Sequence, residues 1–244
     1  MPRQMAIKNM AYNGETHFIF SLTRRYMLGN TVGSLTQLQR SIIIGTILGD
    51  GYLRIVSGRR NAFLEINHAL SQKEYVDWKY RMLKGICKSE PKFRRGNGMR
   101  LAYRFTTKQH PEITKLHADF YGEEGKQIPD TISLDPLMLA VWFMDDGSWC
   151  RESDVYINTQ QFSRRSQERL QAMLLTFGIE SSLNKDKEYE RIRIKKSSIP
   201  TLKAIVSPYI IPSMAYKLGY DPVETCSYEN RVALSAANTP SPFD

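Results

Sequence analysis

Only three cysteines occur in the 244 residues, Cys87, Cys150 and Cys226, and they form neither a CxxC pair nor a cysteine–histidine cluster. That scarcity excludes a disulfide framework and a zinc finger, and it fits a reducing compartment. Long apolar runs are also missing. None reaches the roughly 18 residues that would span a bilayer, and the N-terminus lacks the apolar core of a secretory signal. The sequence reads as a soluble, intracellular protein with no membrane partner. Acidic residues are outnumbered, 25 against 34 lysines and arginines, which leaves a formal net charge of +9 and a pI near 9.4. An anionic polymer is drawn to such a chain, and double-stranded DNA is the commonest one. With 41% hydrophobic residues, the chain can still bury the core of one or two domains.

Residues 34–219 divide into two halves that follow one programme of helix, two strands, helix, two strands, helix. The first opens with SLTQLQRSIIIGTILGDG, a helix capped by Ser34 or Thr36 and stopped at Asp50-Gly51. YLRIVS and AFLEINHA form a hairpin around residues 58–61, a helix runs from Ser71 to about Cys87 with a capping box of Ser71 and Glu74, and PKFRR and MRLAYRFTT form a second hairpin. A helix over Pro111–Tyr121 ends the half. The second half opens with LDPLMLAVWFMDDG, where Asp135 caps, Pro136 begins the helix and Gly147 ends it. SWCRE and DVYINTQ, a helix over Ser163–Phe177 closed by Gly178, SSLNKDK and RIRIKK, and a helix from near Ser197 repeat the order. The fold class is therefore α+β, built from two pseudo-symmetric αββαββα repeats with antiparallel sheets. The boundaries are 34–126 and 135–219 for the repeats, 127–134 for the linker and 220–244 for a tail. Residues 1–33 are an ordered extension, a DNA-contacting arm or a targeting segment.

Gly45 and Gly49, spaced i and i+4, strip side chains from one stripe of the first opening helix and let a partner helix approach closely. The equivalent positions of the second helix hold Val141 and Asp145, so the seam is asymmetric. Aligning Gly51 with Gly147 puts Asp50 in register with Asp146, 96 residues on. Pairing the helices would bring these two carboxylates together, where divalent cations keep both ionised. Asp145 contributes a backbone carbonyl or packs.

IIGTILGDG (Ile43–Gly51) and LAVWFMDDG (Leu139–Gly147) both resemble the motif of the LAGLIDADG homing endonucleases, in their single-chain, two-motif form. That resemblance implies a saddle of sheets around the central motif helices and a monomer. It makes Asp50 and Asp146, with Gly49 and Asp145 beside them, the holders of two or three divalent metal ions, Mg²⁺ in the cell. KQIP (Lys126–Pro129) and YIIPSMAYKLG (Tyr209–Gly219) resemble segments of the yeast mitochondrial members and match Lys126 and Lys217 to catalytic lysines. Lys126 follows Asp50 by 76 residues and Lys217 follows Asp146 by 71, and near-equal offsets suggest symmetric roles. A lysine beside a scissile phosphate orders water or stabilises developing charge. The implied activity is a double-strand break with short 3′ overhangs in a long, non-palindromic DNA site.

Alternation along the strands leaves one sheet face polar and free for DNA. The candidates there are Arg54, Arg59, Arg60, Lys92, Arg94, Arg95, Arg100 and Arg104 in the first repeat. In the second they are Asn158, Gln160, Lys185, Lys187, Arg191, Arg193 and Lys195. Arginine suits guanine, asparagine and glutamine suit adenine, and lysine suits phosphate. Trp78, Trp142, Phe143 and Tyr103 sit at core spacing. Competing readings are an intron RNA maturase with or without nuclease activity, a non-catalytic regulator of the same fold, and an intein-borne nuclease. The intact aspartate pair opposes the regulator. A start at Met1 and an end in NTPSPFD without a terminal His-Asn favour a free-standing or intron-encoded product, in an organelle or a bacterial cytoplasm.

Overall fold

The computed structural model describes residues 35–95, 101–122, 125–150 and 154–219. The expected extension, the tail, Ser34 and Arg100 lie outside them. In the first half, α1 (Gln37–Leu48) is followed by β1 (Tyr52–Arg54), β2 (Phe63–Ala69), α2 (Lys73–Leu83), β3 (Lys92–Arg95), β4 (Leu101–Thr106) and α3 (Pro111–Phe120). A short ribbon of β5 (Tyr121–Gly122) and β6 (Gly125–Lys126) leads onward. The second half has α4 (Pro136–Asp146), β7 (Gly147–Cys150), β8 (Asp154–Ile157), α5 (Arg164–Leu175), β9 (Ser181–Asp186), β10 (Tyr189–Ile194) and α6 (Ile199–Val206). The two four-stranded sheets share one antiparallel order, β1-β2-β4-β3 and β7-β8-β10-β9. The repeat expected from the sequence is therefore present in topology as well as in element order.

Local chemistry explains most element ends. Thr36 Oγ1 accepts from Gln39 N while Gln39 Oε1 accepts from Thr36 N, a reciprocal capping box that starts α1. Asp135 Oδ1 accepts from Met138 N at 2.7 Å, and Pro136 fills the first turn of α4. Ser163 caps α5, and Gly178 turns the chain afterwards with φ +72. The box expected at Ser71 and Glu74 is absent. The chain enters α2 through a 3-10 turn over Leu70–Gln72, which places Ser71 inside the turn instead of at the cap. That helix also ends early, at Leu83, and passes into a 3-10 turn over Lys84–Ile86.

The opening helices are buried almost all round, α1 from Ser41 to Leu48 and α4 from Leu137 to Asp145, as expected of helices inside a protein rather than on its surface. They run parallel. At their N-termini Gln37 Nε2 and Ser41 Oγ of α1 both donate to Asp135 Oδ2, the cap of α4. Toward their C-termini the glycine stripe brings the backbones into contact. A Cβ at Gly45 would lie 2.7 Å from Met138 O and 2.8 Å from Val141 Cβ, and one at Gly49 would lie 2.4 Å from Asp145 Cβ. Val141 and Asp145 thus fill the hollows that the glycines leave, which is the expected asymmetric seam. One contiguous core, containing Trp78, Trp142, Phe143 and Tyr103, runs through both halves. The burial cements the two repeats into one unit.

Candidate active site

The helix ends deliver the two aspartates differently. α1 stops at Leu48, so Asp50 lies beyond it, whereas Asp146 is the last residue of α4. The Asp50 side chain is 47% exposed, with Oδ2 3.6 Å from His68 Nδ1. Burial and then the Asp145 charge raise its pKa. Asp146 sits deeper, with Oδ2 buried and without a hydrogen-bond partner among the described residues. Burial first, then Asp145 and Asp50, push its carboxyl up to about 8. Both aspartates border one open cleft of about 640 Å³, shared with Lys126, Asn158, Gln160 and Gln161.

A lysine attends each helix end. Lys126, carried by β6, donates to Gly49 O at 3.1 Å and to Gln161 Oε1 at 3.3 Å. Lys217 donates to Asp145 O at 3.2 Å and to Gly147 O at 2.8 Å. It rides on the 3-10 turn Pro212–Leu218, which Gly219 ends at φ +74 against the Trp149 ring. Each ammonium therefore rests on the carbonyl of the residue before an aspartate. Burial pulls Lys126 down to about 8 and lowers Lys217, while the aspartates pull both the other way.

The donor set suits a hard divalent cation. The carboxylates of Asp50 and Asp146 line the cleft beside Gly49, and the buried Asp146 Oδ2 is an acceptor with no hydrogen-bond partner among the described residues. The sequence missed Lys79 and His68. Lys79 Nζ reaches from α2 to both carboxylate oxygens of Asp145, at 2.8 Å and 3.0 Å, with both side chains 0% exposed. His68 Nε2 lies 3.8 Å from Asp145 Oδ1, and burial, reinforced by Lys79, lowers the ring pKa to about 4. Asp50, His68 and Asp145 could together ligate an ion, but the ammonium of Lys79 already occupies the Asp145 carboxylate. That leaves Asp50 and Asp146 as the open carboxylates. Lys79 gave one signal in the sequence, a charge on the apolar stripe of Tyr75, Trp78, Met82 and Leu83.

On the polar sheet faces, many candidate side chains are tied to neighbours on the same sheet. Arg54 and Arg104 both reach Glu65, at 3.1 Å and 3.5 Å. Arg193 pairs with Asp154 at 2.6 Å, Gln160 donates to Asp186 at 2.9 Å, and Arg191 donates to Asn158 at 3.4 Å. Lys92 and Arg94 face the same way as Arg104, by register. Arg59, Arg60 and Lys187 sit on exposed turns, and Lys195 pairs with Glu180 just past β10. Register puts Arg95 and Lys185 on the other face, in line with Tyr103 and Leu183 respectively, because side chains two residues apart share a face.

Residues 40–202 match the sequence model of the LAGLIDADG DNA endonuclease family. The chain is 30% identical over 88% of its length to the cytochrome b mRNA maturase bI2 of Saccharomyces cerevisiae, and spans 56% of that protein. It is also 30% identical to the DNA endonuclease I-ChuI of Chlamydomonas applanata, over 76% of this chain and 96% of that one. Among solved structures, the homing endonuclease I-WcaI bound to its DNA recognition sequence superposes with a TM-score of 0.69 at 26% identity. That match covers 82% of this chain and 92% of the other.

Proposed function

This chain belongs to the LAGLIDADG DNA endonuclease family, and from that premise we propose that it is a site-specific homing endonuclease. It makes a double-strand break with short 3′ overhangs in a long, non-palindromic DNA target, working as a monomer. One observation carries the reading: α1 and α4 bring Asp50 and Asp146 to one cleft, each with a lysine on the preceding carbonyl. The likeness to I-ChuI and to DNA-bound I-WcaI supports it.

Asp50 and Asp146 would hold the divalent cations, Mg²⁺ in the cell, beside the backbones of Gly49 and Asp145. Bound there, the metal would supply positive charge to the scissile phosphate and lower the pKa of water. Lys126 and Lys217 supply donors for phosphate oxygens. With its pKa near 8, Lys126 holds a proton that it can exchange close to neutral pH. The arginine-bearing sheet faces hold the duplex, and their ion pairs with Glu65 and Asp154 fix the guanidinium forks before DNA arrives.

The test is to incubate the protein with a randomised duplex library and Mg²⁺ and to sequence the cut ends. One long asymmetric site with short 3′ overhangs is expected, and intact duplex throughout would sink the proposal. A second reading, an intron RNA maturase, draws on the likeness to bI2. Tight intron RNA binding by a protein that leaves all duplex uncut would favour it.

A further inference from the structure

We infer that Lys79, Asp145 and His68 form a positioning unit for Asp50 that Asp146 lacks, so that the two aspartates are held by different means. This rests on the endonuclease reading of Asp50 and Asp146. Asp50 lies past the end of α1, between two closing backbone bonds, Gly49 N to Gly45 O and Gly51 N to Thr46 O, and its own N–H is left outside the helix. Its backbone N–H instead donates across the seam to Asp145 Oδ2, at 3.4 Å. That carboxylate is itself fixed by the two bonds from Lys79. The ammonium lies 4.3 Å from the Tyr75 ring centroid and 3.5 Å from His68 Nε2. His68 Nδ1 faces Asp50 Oδ2 at 3.6 Å and Gln72 Oε1 at 3.1 Å. The contacts thus run from α2 of one repeat to Asp145 of the other and back to Asp50.

At the other aspartate the arrangement is different. Asp146 closes α4 and is carried by that helix, while the residue opposite Asp145 across the seam is Gly49, which has no side chain to offer. A buried ion pair is weak evidence for stability, since well-packed apolar residues in the same space are often as stable or more so. What the pair does, and an apolar pair could not, is hold a carboxylate oxygen against the Asp50 backbone.

Two double variants of the full chain separate positioning from packing. Lys79→Met/Asp145→Ala removes the buried charges and the acceptor, whereas Lys79→Met/Asp145→Asn removes the charges and keeps an amide oxygen where Oδ2 stood. Both avoid leaving an uncompensated charge. Each is melted without metal, titrated calorimetrically with Ca²⁺ as the probe, and assayed for cutting of each strand of the selected site. The alanine form is expected to bind Ca²⁺ about 10–100-fold more weakly than the asparagine form, the usual effect of losing an outer-shell partner. It should also accumulate a product nicked in one strand, with the two melting temperatures similar. Equal Ca²⁺ affinities and equal strand ratios would overturn the inference. If the double variants do not fold, His68→Gln, which spares the ion pair, serves instead. Weaker Ca²⁺ binding supports the unit and unchanged binding overturns it. A parental protein that neither binds Ca²⁺ nor cuts would bring down the endonuclease reading as well, so the two failures are distinct.

Discussion

Asp146 makes a single carboxyl measurable in the metal-free protein. Its folded pKa of about 8 lies well above the 3.8 of a free aspartate, so the folded state holds this proton more tightly than the unfolded chain does. Below the unfolded value both states are protonated and the group has no effect. As pH rises toward about 8 the unfolded chain releases the proton first, and stability falls; above 8 both states are ionised and the loss levels off. Asp146→Asn should therefore melt higher than the parent without metal, with the gap widening from pH 5 to pH 8. Adding Ca²⁺ should raise only the parent. A constant gap across that range would mean that Asp146 is not strained by burial. In cleavage, Asp50→Asn or Asp146→Asn should each lower double-strand breakage by about a thousandfold, the scale of one lost electrostatic stabiliser. Gel-shift affinity for the target should change only a few-fold. A variant that still cuts at near the parental rate would remove that aspartate from the site.

The seam between α1 and α4 decides whether those residues meet. Gly49→Ala would place a methyl group 2.4 Å from Asp145 Cβ, and Gly45→Ala one 2.7 Å from Met138 O. Neither neighbour is the free end of a flexible chain, so the helices must part. Each substitution should destabilise by about 1–3 kcal/mol in urea unfolding, the usual range for an overpacked core, and Gly49→Ala should also depress cleavage. Stability equal to the parent would show that the seam is looser than its contacts indicate. These two glycines were legible in the sequence because their spacing alone puts both on one face of one helix. So were the caps at Thr36 and Asp135, which act within a single turn. The α2 start was not, because a 3-10 turn displaced Ser71 from the cap. Lys79 was not either: its partner lies 66 residues away in the other repeat, and no local pattern joins a charge on an apolar stripe to a distant carboxylate.

Across the whole molecule, two sheets of identical strand order carry different polar side chains. Arg54 and Arg104 share Glu65 on one, and Arg193 pairs with Asp154 on the other. The halves should therefore read different sequences. Arg193→Ala should relax base preference in only one half-site of the cut-site profile, by about 1–3 kcal/mol at the affected position. A profile that changed equally in both halves would reject the two-repeat reading of the target. The two-helix seam has one further consequence. Gly45 and Gly49 are hollows, and Val141 and Asp145 fill them, so a second repeat paired with its own copy would drive Val141 against Val141 and set two carboxylates face to face in an apolar core. The seam is thus a lock cut in side-chain volume, in which the second half finds its fit in the first and not in itself.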